Sequence, residues 1–187
     1  MESFLASIRL VVATMLICVA AYAAVIWGFG QVFTPSTAQG SLIESADGKI
    51  IGSELIAQKF TQPRYLWPRP SAVDYNAAAA GGSNKSPTSP DLTKRAEEII
   101  PNYGATPENP LPAELAAASG AGLDPHISEH AALYQAKRVA EARGLPLSQV
   151  EAMIKDHAFS PGAFMTPDRL VNVLELNLAL DKADAAQ

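Results

Sequence analysis

From Leu10 to Phe33 the chain reads LVVATMLICVAAYAAVIWGFGQVF, without one charged residue. At about 1.5 Å per residue a helix of this run spans roughly 36 Å. A bilayer core is roughly 30 Å thick. The pattern predicts one transmembrane helix over residues 10–33, with a short segment 1–9 before it and a soluble domain over 34–187. Trp27, Phe29 and Phe33 stand near the far end of the run, where aromatic rings suit the headgroup boundary. Two other readings use the same stretch. Arg9 and Ala21-Tyr22-Ala23 fit a cleaved signal peptide, but the apolar run continues through Val25, Ile26, Trp27 and Phe29. A lipid anchor at Cys18 would want a small residue before it, and Ile17 stands there.

The pattern changes beyond the run. Leu42 and Ile43 precede Asp47-Gly48, and Ile50 and Ile51 follow, which predicts a hairpin over Ser41–Ser53. Pro63, Pro68 and Pro70 block a helix through Phe60–Tyr75. GGSNKSPTSPD, Gly81 to Asp91, reads as a surface loop, and a helix is expected from Leu92 to Ile100. Ser128 predicts the cap of a helix from Glu129 to Arg143 that stops at Gly144. Leu133, Ala136, Val139 and Ala140 form its apolar stripe, with Lys137, Arg138, Glu141 and Arg143 on the polar side. Ser148 and Glu151 suggest a capping box for the next helix, with Val150, Met153 and Ile154 inward. In VNVLELNLALD, Val171 to Asp181, Leu174, Leu176, Leu178 and Leu180 alternate with other residues. That period of two predicts a final strand paired with the hairpin. The fold class is therefore α+β: a membrane helix followed by one soluble α+β domain.

Charge narrows the function. The chain has 14 Lys and Arg against 19 Asp and Glu, a net charge of -5, so no nucleic-acid footprint is present. Its one cysteine, Cys18, excludes an internal disulfide. Arg9 is the only basic residue before the apolar run, and the next is Lys49. The positive-inside tendency then puts the N-terminus in the cytoplasm and the soluble domain outside it.

Candidate chemistry is sparse. HISEH, His126 to His130, matches the H-x-x-E-H zinc pattern, but Pro125 and the cap at Ser128 put His126 outside the helix. Asp124, Pro125 and His126 read instead as a structural turn, with Asp124 and His126 in one network and Glu129 and His130 solvated in the first helical turn. ADGKI, Ala46 to Ile50, lacks the first Gly and the Ser or Thr of a phosphate loop. ASGAG, Ala118 to Gly122, could offer N–H groups to an anion, although Gly120 and Gly122 first suggest a sharp turn. No G-x-S-x-G elbow and no triad is visible. The residues alone suggest a membrane-anchored accessory domain without a catalytic or metal site. A signal-anchored extracytoplasmic hydrolase is the alternative from composition.

Seven ordered blocks carry a resemblance: the N-terminal span, GSLIES with IGSELIAQKF, RPSAVDYN, GGSNKSP, ASGAGLDPHIS, QAKRVAEARG and VNVLELNLALD. Together the chain resembles the C subunit of the Kdp-type potassium-transporting ATPase along nearly its whole length. The resemblance implies a single-pass, non-catalytic subunit of a potassium uptake pump. Its implied partners are a channel-like potassium-translocating subunit, a P-type subunit that hydrolyses ATP, and a small membrane subunit, all among membrane lipid. It also implies a role in assembly and as a catalytic chaperone that raises the ATP affinity of the hydrolytic subunit. On that account Gln135 would contact nucleotide, with Ser119, Gly120 and Gly122 as its glycine-rich companions and ATP the only ligand, not tightly held. Ala80 and Ala121 stand where the family often has Ser. The cytoplasmic N-terminus argues for a different role, since it turns Gln135 away from cytoplasmic ATP, and suggests a cap over the side where potassium enters.

Overall fold

Helix formation reaches further toward the N-terminus than the uncharged run. The computed structural model describes residues 1–45, 47–162 and 168–185. Helix α1 runs Glu2–Met15, a π-helical stretch Leu16–Ala21 follows, and α2 runs Tyr22–Phe33. Together they make one 32-residue helix, Glu2–Phe33, long and apolar enough to cross a membrane. No residue of α1 or α2 is buried by protein. At Thr34 the backbone leaves the helical region, and Pro35 opens the short α3, Pro35–Ala38. The chain doubles back there. A Cβ on Gly30 would stand 3.4 Å from the Ala38 Cβ, whereas eight residues along a straight helix rise about 12 Å.

The chain divides into two compact units, Met1–Ile51 and Gly52–Gln187. Strands β1, Leu42–Glu44, and β2, Ile50–Ser53, pair as the expected hairpin. The Ser45 N–H donates to the Lys49 carbonyl at 2.9 Å, and Gly48 turns the chain at φ +77°, a backbone region glycine enters freely. Ala46, in the same turn, lies outside the described residues.

In the second unit, α4 (Pro90–Ile99) begins at a Ser89 cap and runs on into a 3₁₀ turn, Ile100–Tyr103. Proline at the first helical position costs no hydrogen bond, so the helix starts two residues before the expected Leu92. The short α5 (Ala113–Ala116), β3 (His126–Ser128), α6 (Glu129–Arg143), α7 (Leu147–His157), β4 (Leu170–Asn172) and α8 (Val173–Ala185) complete it. Helix α6 has its predicted bounds. The Ser128 hydroxyl accepts the Ala131 N–H at 3.0 Å, and Gly144 ends the helix at φ +68°. The core joins Ala131, Ala132, Ala136 and Val139 of α6 to Val150 and Ile154 of α7 and to Val173, Leu176 and Leu180 of α8. With Ala140, Ala131, Ala132 and Ala136 make four buried alanines on α6, small enough to let its neighbours approach closely.

Three expectations are corrected. The leucine-rich C-terminal stretch is a three-residue strand followed by a helix. Val173, Leu174, Leu176, Asn177 and Leu180 are its buried positions, and Val173, Leu176, Asn177 and Leu180 recur at the three- and four-residue spacing of a helix face. Nor does β4 join the hairpin. It pairs antiparallel with β3, Ile127 opposite Val171, and His126 is the first residue of that strand. Helix α7 starts after Pro146 with no side-chain cap, which puts Ser148 inside the helix and not at its boundary.

Candidate functional site

The polar residues of α6 face in two directions, and the inward ones do most. Gln135 is 1% exposed. Its Oε1 accepts the Trp67 N–H at 2.9 Å and its Nε2 donates to the Trp67 carbonyl at 3.1 Å. Asn177 of α8, also 1% exposed, does the same one residue earlier. Its Oδ1 accepts the Leu66 N–H at 2.8 Å and its Nδ2 donates to the Leu66 carbonyl at 3.0 Å. Two side-chain amides thus replace a neighbouring strand, satisfying two consecutive peptide groups that could not be buried unpaired.

Arginines complete the clamp. Arg138 donates to the carbonyls of Pro63 at 2.6 Å and Tyr65 at 3.0 Å, to Gln135 Oε1 at 2.8 Å, and stacks 3.7 Å from the centre of the Trp67 ring. Burial lowers its pKa to about 10, which leaves it cationic at neutral pH. The Arg143 side chain is 0% exposed. It donates to the Arg64 carbonyl at 2.7 Å and to Asp181 and Asp184 at 2.9 and 2.6 Å. Arg64 and the Tyr65 hydroxyl reach the same two aspartates. On the polar side of α6, Lys137 and Glu141 are therefore exposed, whereas Arg138 and Arg143 turn inward onto the Pro63–Trp67 backbone. In the sequence, the signal for the clamp is an amide on an otherwise apolar stripe: Gln135 between Ala132 and Val139, and Asn177 between Val173 and Leu180.

Beyond Trp67 the same extended segment meets the ASGAG loop. The Ser119 N–H donates to the Pro70 carbonyl at 3.0 Å, Arg69 donates to the Ala118 carbonyl at 3.3 Å, and the Ser71 hydroxyl donates to the Gly122 carbonyl at 2.6 Å. The Gly81 N–H donates to the Ala121 carbonyl at 2.8 Å. Gly122 sits at φ +69°, and a Cβ there would lie 2.7 Å from the Gly81 carbonyl oxygen and from Val73. A Cβ on Gly82 would lie 2.6 Å from the Gly120 carbonyl oxygen. The glycine pairs of ASGAG and GGSNKSP are thus pressed backbone to backbone, and Gly81–Gly82 is no free linker. Gly120 itself is exposed, and among the described residues nothing lies within 4 Å of its Cβ position. The Ser119 hydroxyl is buried and has no hydrogen-bond partner among the described residues.

Asp124, Pro125 and His126 lead from this loop into β3. Asp124 Oδ1 accepts the His126 N–H at 3.0 Å and lies 3.4 Å from its ring Nδ1, while Oδ2 is 3.5 Å from Arg69. The His126 contacts first, then the Arg69 charge, hold the Asp124 carboxyl below its ordinary pKa. The Pro125 carbonyl accepts the first N–H of α8 at 3.0 Å. His130 lies in α6 and His126 in β3, so HISEH presents no helical histidine pair. Glu129 pairs with Arg169 at 3.2 Å instead of standing free. Among the described residues no group of three or more His, Cys, Asp or Glu is placed to hold a metal ion.

One cavity of about 440 Å³ opens beside the clamp, lined by Phe60, Trp67, Pro68, Pro70, Tyr75 and Tyr103 among others. Burial, reinforced by the Asp74 charge, pushes the Tyr75 hydroxyl up to about 12, and burial raises Tyr103 as well. Neither phenol is an acid-base group near neutral pH.

Comparison with known proteins places this arrangement. A family model described as "K+-transporting ATPase, c chain" matches residues 4–182. A potassium-transporting ATPase KdpC subunit of Parvibaculum lavamentivorans is 73% identical over 186 residues, covering 100% of both chains. Subunits of the same name from Methylococcus capsulatus and Trichlorobacter lovleyi are 48% and 41% identical, covering 86% and 97% of this chain and 87% and 98% of theirs.

Proposed function

This chain belongs to the KdpC family, the c chain of the K+-transporting ATPase, and we propose that it serves the pump as a non-catalytic assembly subunit. The potassium-translocating subunit, the P-type ATP-hydrolysing subunit and the small membrane subunit are its partners, and hydrolysis lies on the P-type subunit. The N-terminus is cytoplasmic, residues 10–33 cross the inner membrane once, and the folded domain works outside the cell membrane. Its task there is to present a rigid docking body.

One observation carries this reading. Gln135, the residue that resemblance links to nucleotide, has both polar atoms of its side chain engaged on the Trp67 peptide and is 1% exposed. A group so enclosed contributes shape more readily than it contacts a soluble ligand. On this reading the chaperone effect on ATP affinity, where it operates, is transmitted through docking and not through contact of ATP with Gln135, Ser119, Gly120 or Gly122.

The test is Gln135→Leu in the complete complex. The expected result is a lower yield of assembled pump, with an unchanged KM for ATP in the complexes that form. Asn177→Leu removes the sister clamp, has no implied nucleotide role, and should give the same pattern. Full assembly with a raised KM for Gln135→Leu alone would overturn the reading.

A further inference from the structure

The hairpin leaves two large apolar residues of one face exposed, Leu42 and Ile50, while further along that face a Cβ on Gly52 would meet Gln58 and Leu174. Alternation along β1 and β2 places Ile43 and Ile51 on a half-buried face and Leu42, Glu44 and Ile50 on the exposed one. Leu42 is 44% exposed and Ile50 54% exposed. Two large apolar residues exposed on one face of a small sheet suit something less polar than water.

The position of that face in the chain says what covers it. The membrane helix ends with Trp27, Phe29 and Phe33 exposed, the residue types that collect at the headgroup boundary. Helix α3 does not carry the chain away from this level. It folds back, so that the Ala38 Cβ lies 3.4 Å from where a Cβ on Gly30 would stand. The Ser41 N–H then donates to the Ser36 carbonyl at 2.9 Å and the Gly40 N–H to the Thr37 carbonyl at 3.0 Å, which keeps the link compact. Strand β1 begins at the next residue. The root of the hairpin is therefore four residues from Ala38, which sits beside Gly30 among the aromatic residues of the helix end, rather than on a long tether.

We propose that the Leu42–Ile50 face of the hairpin rests in the headgroup layer of the membrane that the helix crosses, with lipid as its occupant. The inference rests on reading Glu2–Phe33 as a membrane span. Glu44 on the same face limits the depth, because a carboxylate is tolerated among headgroups and is costly in hydrocarbon. Lys49, at the tip, is placed to meet lipid phosphate. The hairpin would then set the angle at which the chain leaves the bilayer.

The experiment uses the full complex in vesicles of phosphatidylethanolamine and phosphatidylglycerol, with Cys18→Ser as background. A bimane fluorophore is attached at Ile50→Cys, at Leu42→Cys, at Phe29→Cys for the span and at Lys85→Cys for water. Quenchers are aqueous iodide and lipids carrying a nitroxide on the headgroup or acyl chain. The expected result is loss of Ile50 and Leu42 fluorescence with headgroup nitroxide and protection from iodide. Phe29 should respond to the lipid quenchers and Lys85 only to iodide. Iodide quenching of both hairpin positions, with Phe29 still lipid-quenched, overturns the proposal while the span stands. Shielding of both from every quencher means that protein covers the face, which also overturns it. Iodide quenching of Phe29 sinks the span and the proposal together.

Discussion

Two stretches of the second unit are held in place by opposite means. Pro63–Trp67 is gripped by long side chains: amides from α6 and α8, guanidinium groups from α6, and aspartates from α8. Ala118–Asp124 is held largely by backbone pressed on backbone, at separations that leave no room for a Cβ on Gly82 or Gly122. The first depends on which polar atoms are present, and the second on which side-chain atoms are absent. Loss of function from a substitution in either place is therefore a packing or hydrogen-bonding effect before it is evidence about a ligand.

The difference can be broken at its most sensitive point. Gly122→Val imposes an unfavourable φ and a clash with Gly81 and Val73 together. Thermal unfolding of the full chain in detergent should show a loss of about 3–6 kcal/mol. Gly120→Ala, two residues away with nothing among the described residues within 4 Å of its Cβ position, should stay within about 0.5 kcal/mol. Equal effects of the two would mean that the loop is not held as described.

In the clamped segment, Asn177→Leu leaves the buried Leu66 N–H and carbonyl unpaired, for an expected cost of about 2–4 kcal/mol by the same assay. A neutral outcome would show that the amide is dispensable.

A smaller effect concerns acid. The His126 contacts and Arg69 depress the folded-state pKa of Asp124. Its contribution to stability is therefore present above the unfolded carboxylate value of about 4. It is lost as pH falls through the lower folded value. Asp124→Asn should flatten this part of the acid-unfolding profile, and an unchanged profile would remove Asp124 from the account. Smallest of all, Ser119→Ala deletes a buried hydroxyl that has no hydrogen-bond partner among the described residues. It should be neutral or stabilising by up to about 1 kcal/mol. A clear loss of stability would reveal an interaction at Ser119 that the geometry does not contain.

Legibility in the sequence follows the same division. Helix α6 could be read to the residue, because Ser128, Gly144 and the stripe between them are local signals. The apolar span and the hairpin turn were equally local. Helix α8 was not legible as a helix. Leu174, Leu176, Leu178 and Leu180 satisfy a period of two while Val173, Leu176, Asn177 and Leu180 satisfy a helical one, and only packing against α7 decides between them. Strands of three residues, β3 and β4, carry too little pattern to announce themselves, and their pairing spans more than forty positions. The turn role of ASGAG was visible in its glycines, but its partner was not, because Gly81 and Gly82 lie far away in sequence. The inward course of Arg138 and Arg143 was hidden for a related reason. A guanidinium on the polar side of a helix wheel looks solvated until a backbone with free carbonyls is laid across it.

The central claim, an assembly domain that works outside the cell membrane away from cytoplasmic ATP, is tested most directly by sidedness. Cys18→Ser removes the native thiol, and Ser86→Cys puts one on the exposed loop before α4. Cells carrying the assembled pump are treated with a membrane-impermeant thiol reagent after the outer membrane is permeabilised. The account predicts labelling at Ser86→Cys while the inner membrane is intact. Protection until lysis would put the domain in the cytoplasm and contradict it, returning Gln135 to the reach of nucleotide.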